Sequence, residues 1–74
     1  METRSKSQAA VLRVLASRLN RADGTVRIEV VPHNPWRFRL LYRFNIGGVG
    51  PRMSRPYTFH EAKHYMAERL REVS

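Results

Sequence analysis

Trp36-Arg37-Phe38-Arg39-Leu40-Leu41-Tyr42-Arg43-Phe44-Asn45-Ile46 is the stretch on which the reading of this chain turns. Its residues alternate in character. Trp36, Phe38, Leu40, Tyr42, Phe44 and Ile46 fall on one side of an extended strand, and Arg37, Arg39, Leu41, Arg43 and Asn45 fall on the other. Successive side chains of a strand point to opposite faces of its sheet, so this period of two predicts a half-buried strand. The aromatic and aliphatic side predicts the core face, which leaves a line of arginines for the outer face of the sheet.

Working outward, Thr25–Val31 also alternates: Val26, Ile28 and Val30 face one way, and Arg27, Glu29 and Val31 the other. Pro32-His33-Asn34-Pro35 predicts a turn, because two prolines within four residues interrupt a ladder. Gly47-Gly48-Val49-Gly50 predicts a second turn, followed by a weaker strand at about Pro51–Tyr57. Pro56 places that strand at a sheet edge. Before the first strand, a helix is predicted from about Gln8 to Asn20 with Ser7 as N-cap. Val11, Leu12, Leu15 and Leu19 make its apolar stripe, Arg13, Ser17 and Arg21 share the opposite face, and Gly24 stops it. Thr58-Phe59-His60-Glu61 is a capping box, opening a helix to about Glu72 that buries Phe59, Ala62, Met66, Leu70 and Val73. The expected fold is α+β in the order α-β-β-β-α, a three-stranded antiparallel sheet with both helices packed on one face. Residues 1–6 are expected to form a basic flexible tail and residues 7–74 a single domain.

Seventy-four residues leave a modest core. There is no cysteine, so neither disulfides nor thiolate metal sites are available. No apolar run approaches the ~20 residues of a membrane span. Arginines interrupt the basic, partly apolar N-terminal segment, which lacks the features of a signal peptide, and a cytoplasmic location is expected. Fourteen Lys and Arg against six Asp and Glu give a net charge of +8. All of that excess lies in residues 1–58, since residues 59–74 carry three charges of each sign. Arginine binds phosphate bidentately and stacks on bases, so this balance points to a nucleic acid or another polyanion.

Two stretches carry a family resemblance. Pro32-His33-Asn34-Pro35-Trp36-Arg37-Phe38 resembles the loop of double-stranded-RNA-binding domains that holds a histidine before a core aromatic. His60–Leu70, HEAKHYMAERL, resembles the second helix of that family, with Lys63 matching one of its lysines. Their separation and the chain length fit as well. The chain departs from the family pattern at Phe59 and His60, which replace two leading lysines, and at Val31, which replaces a glycine. The resemblance implies binding of structured or double-stranded RNA by shape and phosphate contact. Gln8 and Arg13 of the first helix and His33 of the loop would meet minor grooves, and Lys63 the phosphates between them. The charge pattern implies instead that Arg27, Arg37, Arg39 and Arg43 bind from the sheet face. Three-stranded sheets backed by one helix, as in integrase arm-binding domains, meet the DNA major groove in this way.

RNA is therefore favoured over DNA as the expected partner, with no membrane partner. The competing class is a small basic interaction module or regulator that docks on an acidic surface of a larger protein. His60-Glu61-Ala62-Lys63-His64 has the spacing of a zinc-protease helix. A catalytic zinc needs a third protein ligand and a cleft, and Glu61 is already committed to the cap, so no enzyme activity, metal or cofactor is expected.

Overall fold

The structure, a computed structural model, describes residues 2–34 and 36–73, with side chains from Ser7 onward. The elements run α1 (Glu2–Ala22), β1 (Val26–Asn34), β2 (Arg37–Phe44), β3 (Arg52–Met53), β4 (Tyr57–Thr58) and α2 (Phe59–Val73). All strand pairs are antiparallel, and β2 is the centre: β1 pairs along one side of it, and β3 and β4 pair in succession along the other. This is the α+β architecture that the alternation predicts, with both helices on one face. Ala9, Leu12, Ala16 and Leu19 of α1, Ile28 and Val30 of β1, Phe38 and Leu40 of β2, and Ala62 and Met66 of α2 make one buried cluster.

Five local expectations are corrected. The helix starts at Glu2, so residues 2–6 are helical rather than a tail, and Ser7 lies inside the helix rather than capping it. The buried stripe of α1 is rotated: Ala9 and Ala16 go in with Leu12 and Leu19, Leu15 is half-buried, and Val11 is 42% exposed. Alanines on the inner stripe join the same buried cluster as the larger side chains, a role that the size of a hydrophobic side chain alone does not reveal. β1 continues through Pro32 to Asn34, with an irregularity of register between those two residues. Asn45 donates its N–H to the Thr25 carbonyl at 2.9 Å. By the alternation of an antiparallel ladder, Arg27, Glu29 and Val31 then turn their peptide groups toward β2, and Val26, Ile28, Val30 and Pro32 turn theirs outward. The missing N–H of Pro32 therefore costs no ladder bond; Pro35 lies outside the described residues.

The fourth and fifth corrections concern β2 and its second neighbour. The strand is shorter than its alternating pattern: Trp36 sits in the turn and Ile46 beyond the ladder, 48% and 59% exposed. The third strand is split. Leu41 pairs with Met53, but Phe38 pairs with Tyr57, so one extra residue is accommodated between β3 and β4. Ser54 bridges the break by donating its N–H to the Leu40 carbonyl (2.9 Å) and accepting the Leu40 N–H on its hydroxyl (2.8 Å). In the β2–β3 turn, Gly48 has φ +84°, a conformation glycine adopts without strain.

The capping box forms in both halves. Thr58 N–H donates to Glu61 Oε1 at 2.9 Å, and Glu61 N–H donates to the Thr58 hydroxyl at 3.2 Å. The first of these bonds is the main reason that the Glu61 carboxyl titrates below its ordinary value, and Arg55 and Arg37 act in the same direction. A carboxyl depressed in the folded state adds stability above its unfolded pKa and loses it as pH falls through the folded one. Glu61→Gln is therefore expected to make the acid limb of a Tm-versus-pH curve shallower; an unchanged limb would show that the cap carries no charge-dependent stability. Phe38, fully buried between β1, β4 and the helices, is the other sensitive point. Phe38→Ala is expected to cost about 3–5 kcal/mol. Against a typical total of about 5–15 kcal/mol, that loss should show as a strongly lowered or absent thermal transition by circular dichroism.

Candidate nucleic-acid interface

With both helices on the inner face, no helix among the described residues covers the outer face of the sheet. The ladder sets Arg27 opposite Arg43, Glu29 opposite Leu41, Val31 opposite Arg39 and Leu41 opposite Met53, with Arg37 nearest the hairpin. The four arginines assigned to this face by the alternation are thus brought together on it. Like charges directly opposite each other destabilise a sheet, so the Arg27–Arg43 pair opposes folding. Glu29 relieves part of that repulsion by accepting from Arg43 Nε at 3.3 Å across an exposed diagonal, an ion pair worth little in water. Arg39 is different: it is half-buried, and its Nε is withdrawn from solvent without a hydrogen-bond partner.

β1 is an edge strand, and α1 runs alongside it. Asn20, near the end of α1, donates from Nδ2 to the Ile28 carbonyl at 3.2 Å and accepts the Ile28 N–H on Oδ1 at 2.8 Å. One side-chain amide thereby satisfies both outward peptide groups of Ile28 and bars another strand from pairing there. An open groove of about 840 Å³ runs between α1 and this edge. Its rim includes Arg13 and Arg21 from the helix and Arg27 and Arg43 from the strands, with Ser17 between the helix arginines and Glu29 as the one acid. The shared face of Arg13, Ser17 and Arg21 was legible from their spacing of four. Its destination was not, because nothing in the spacing shows which strand the face meets. Arg13, which the family resemblance groups with His33 and Lys63, shares this groove with the sheet arginines instead.

The other residues named by the resemblance lie toward the hairpin. Arg37 pairs with Thr58, so the β1–β2 hairpin stands beside the start of α2. His33 is exposed near the end of β1, and Lys63 is exposed on α2 with its ammonium 5.8 Å from the Phe59 ring. With Asn20 level with Ile28, α1 rises about 1.5 Å per residue back toward Gln8, and β1 advances about 3.3 Å per residue toward His33. Both therefore reach the same end. Gln8 is half-buried, with an Oε1 that is withdrawn and unpartnered. His60 and His64 are exposed, His60 packing edge-on against Phe59. Among the described residues, no cluster of three or more His, Asp or Glu side chains is placed to hold a metal ion. None of their helices is long and apolar enough to cross a membrane.

On the inner face, Tyr42, Tyr57, Tyr65 and Arg69 line a smaller cleft. Tyr57 and Tyr65 stack at 6.3 Å, and burial together with a bond to the Tyr65 hydroxyl pushes the Tyr42 hydroxyl well above its ordinary range. Two features escape the sequence pattern altogether. Asn20 looks like an ordinary polar residue at a helix end, and Trp36 fits the core alternation although the turn lifts it out. Compared with known proteins, the chain matches no protein-family model, no curated protein and no solved structure.

The amide of Asn20 yields a direct expectation. Asn20→Ala leaves the N–H and carbonyl of Ile28 without partners and should cost about 1–3 kcal/mol in denaturant unfolding. It also exposes the β1 edge, so sedimentation should show new concentration-dependent association. A variant as stable as its parent would mean that water replaces the amide at no cost.

Proposed function

We propose that this chain binds the phosphate backbone of a nucleic acid, through the arginines of the outer sheet face and of the groove beside β1. The observation that carries the reading is Arg27 directly opposite Arg43 on a face with no helix cover and Glu29 as its acid. An arrangement that costs folding energy makes physical sense where a polyanion repays it. Arg13 and Arg21 extend the same basic surface over the sheet edge onto α1. Because Asn20 occupies the Ile28 peptide groups, the groove is unsuited to adding a peptide strand and better suited to charge contacts. β1 and β2 are nine and eight residues long, whereas β3 and β4 have two each. The outer face is thus close to a two-stranded ribbon, a shape that the major groove of B-form DNA admits.

A second reading keeps the resemblance to double-stranded-RNA-binding domains. It is favoured by the convergence of the start of α1, His33 and Lys63 at one end of the fold. In that mode the His33 and Lys63 surface touches RNA, and the sheet arginines do not.

The two modes separate by mutation and salt. For duplex DNA and duplex RNA of equal length, log K should fall linearly with log salt, with a slope of about −0.9 per phosphate neutralised in B-form DNA. Arg27→Ala combined with Arg43→Ala should weaken binding and lower the magnitude of the slope by about two, one for each phosphate that is no longer neutralised. His33→Ala combined with Lys63→Ala should change little. The reverse pattern, with RNA preferred, establishes the second reading. Absence of salt-dependent binding to any nucleic acid rejects both and leaves a basic module that docks on an acidic protein surface.

A further inference from the structure

We propose that Met53, backed by Leu41 and Val31 at the centre of the outer sheet face, contacts the 5-methyl group of thymine in the major groove, so that the chain reads duplex DNA by its thymine methyls. The inference rests on the nucleic-acid reading through the sheet face and adds the feature of the bases that this face recognises.

Apolar side chains separate the arginines of the outer face. The pairing sets three rows across the sheet: Arg27 with Arg43, then Glu29 with Leu41 and Met53, then Val31 with Arg39. Residues directly opposite in an antiparallel ladder project to the same side with Cβ atoms about 4.5–5.5 Å apart, and diagonal neighbours lie about 7–8 Å apart. Met53 and Leu41 are therefore adjacent, and Val31 stands diagonally beyond Leu41. Met53 is 47% exposed, and Leu41 and Val31 are half-buried. None of the three belongs to the buried cluster or to the side chains packed against it, so the packing of the core does not account for them. β3 is also a two-residue edge strand, where charge commonly guards a sheet against association. An exposed methionine there works against that protection.

The spacing matches a groove. Arg39 and Arg43 are four residues apart on β2, about 13 Å at 3.3 Å per residue, with Leu41 midway. The B-form major groove is about 12 Å wide. Guanidinium groups on either side of the apolar row then serve the two phosphate walls, and the row faces the floor, where the thymine methyl is the apolar group that the base edges present. Methionine is unbranched and adapts its shape to such a contact. Glu29, the acid of this row, lies across Leu41 from Met53 and is held by Arg43 Nε at 3.3 Å. An A-form duplex offers no such contact, because side chains cannot read its deep, narrow major groove.

The probes are two DNA duplexes of one A·T-rich sequence, the second with deoxyuridine at every thymidine position. They differ in the methyl groups and share every hydrogen-bonding edge. At equal salt the thymine duplex is expected to bind about four-fold more tightly for each methyl contacted, the effect of burying about one such group. Met53→Ala, and Met53→Gln with a polar side chain of similar length, should remove the difference between the duplexes, with folding verified by circular dichroism. Arg43→Ala should weaken both duplexes and keep their ratio. Equal affinity of the parent chain for the two duplexes, with salt-dependent binding intact, overturns this inference alone. A ratio that persists in both Met53 variants assigns the difference to the shape of the DNA and overturns it as well. Failure to bind either duplex overturns the underlying reading with it.

Discussion

β2 is hydrogen-bonded to every other strand of the sheet, and its pleat divides the molecule in two. On one side Phe38 and Leu40 are sealed beneath two helices. On the other, Arg37, Arg39 and Arg43 face away from them. A shift of one residue in the pairing of β2 would exchange these sets, placing three guanidinium groups in the core at a cost no small domain could meet. The register of the strand and the chemistry of the open face are therefore one constraint. Phe38 and Leu40 fix the pairing, and the arginines occupy the outer face because no other position is open to them.

The boundary between these faces lies at the β1 edge, where Asn20 takes the place of a missing strand. By closing the Ile28 peptide group from the side, it ties α1 to the sheet and sets the helix arginines level with the strand arginines. Protection of the edge and assembly of a continuous basic surface are in this way linked through a single side chain. Ser54 plays a similar part on the opposite flank of β2, where its hydroxyl substitutes for a ladder acceptor at the break between β3 and β4. Both devices let a short chain complete its sheet without additional strands.

The proposed activity follows from where repulsion is tolerated. Net charge alone is compatible with solubility, with binding of any polyanion, or with docking to an acidic protein. Paired arginines on an uncovered ribbon, continued by Arg13 and Arg21 around the edge, give that charge a shape.

The element order, the two faces of β2 and the capping box at Thr58 were legible in the sequence, because each depends on local periodicity or on a side chain bonding its own neighbours; Pro56 lies in the break between β3 and β4 rather than within a strand. Alternation of Phe38, Leu40 and Tyr42 with arginines needs no knowledge of the partner strand to identify the core side. Tertiary structure decided the rest. Which stripe of α1 is buried depended on the elements packed against it, which take in Ala9 and Ala16 and leave Val11 exposed. The continuation of β1 through Pro32 depended on that residue turning its nitrogen away from β2. The exposure of Trp36 depended on where the ladder ended, and the company kept by Arg13 depended on which edge α1 lies against. These are matters of distance between segments far apart in the chain, settled by packing and by the side-chain bond between Asn20 and Ile28, on which local pattern carries no information.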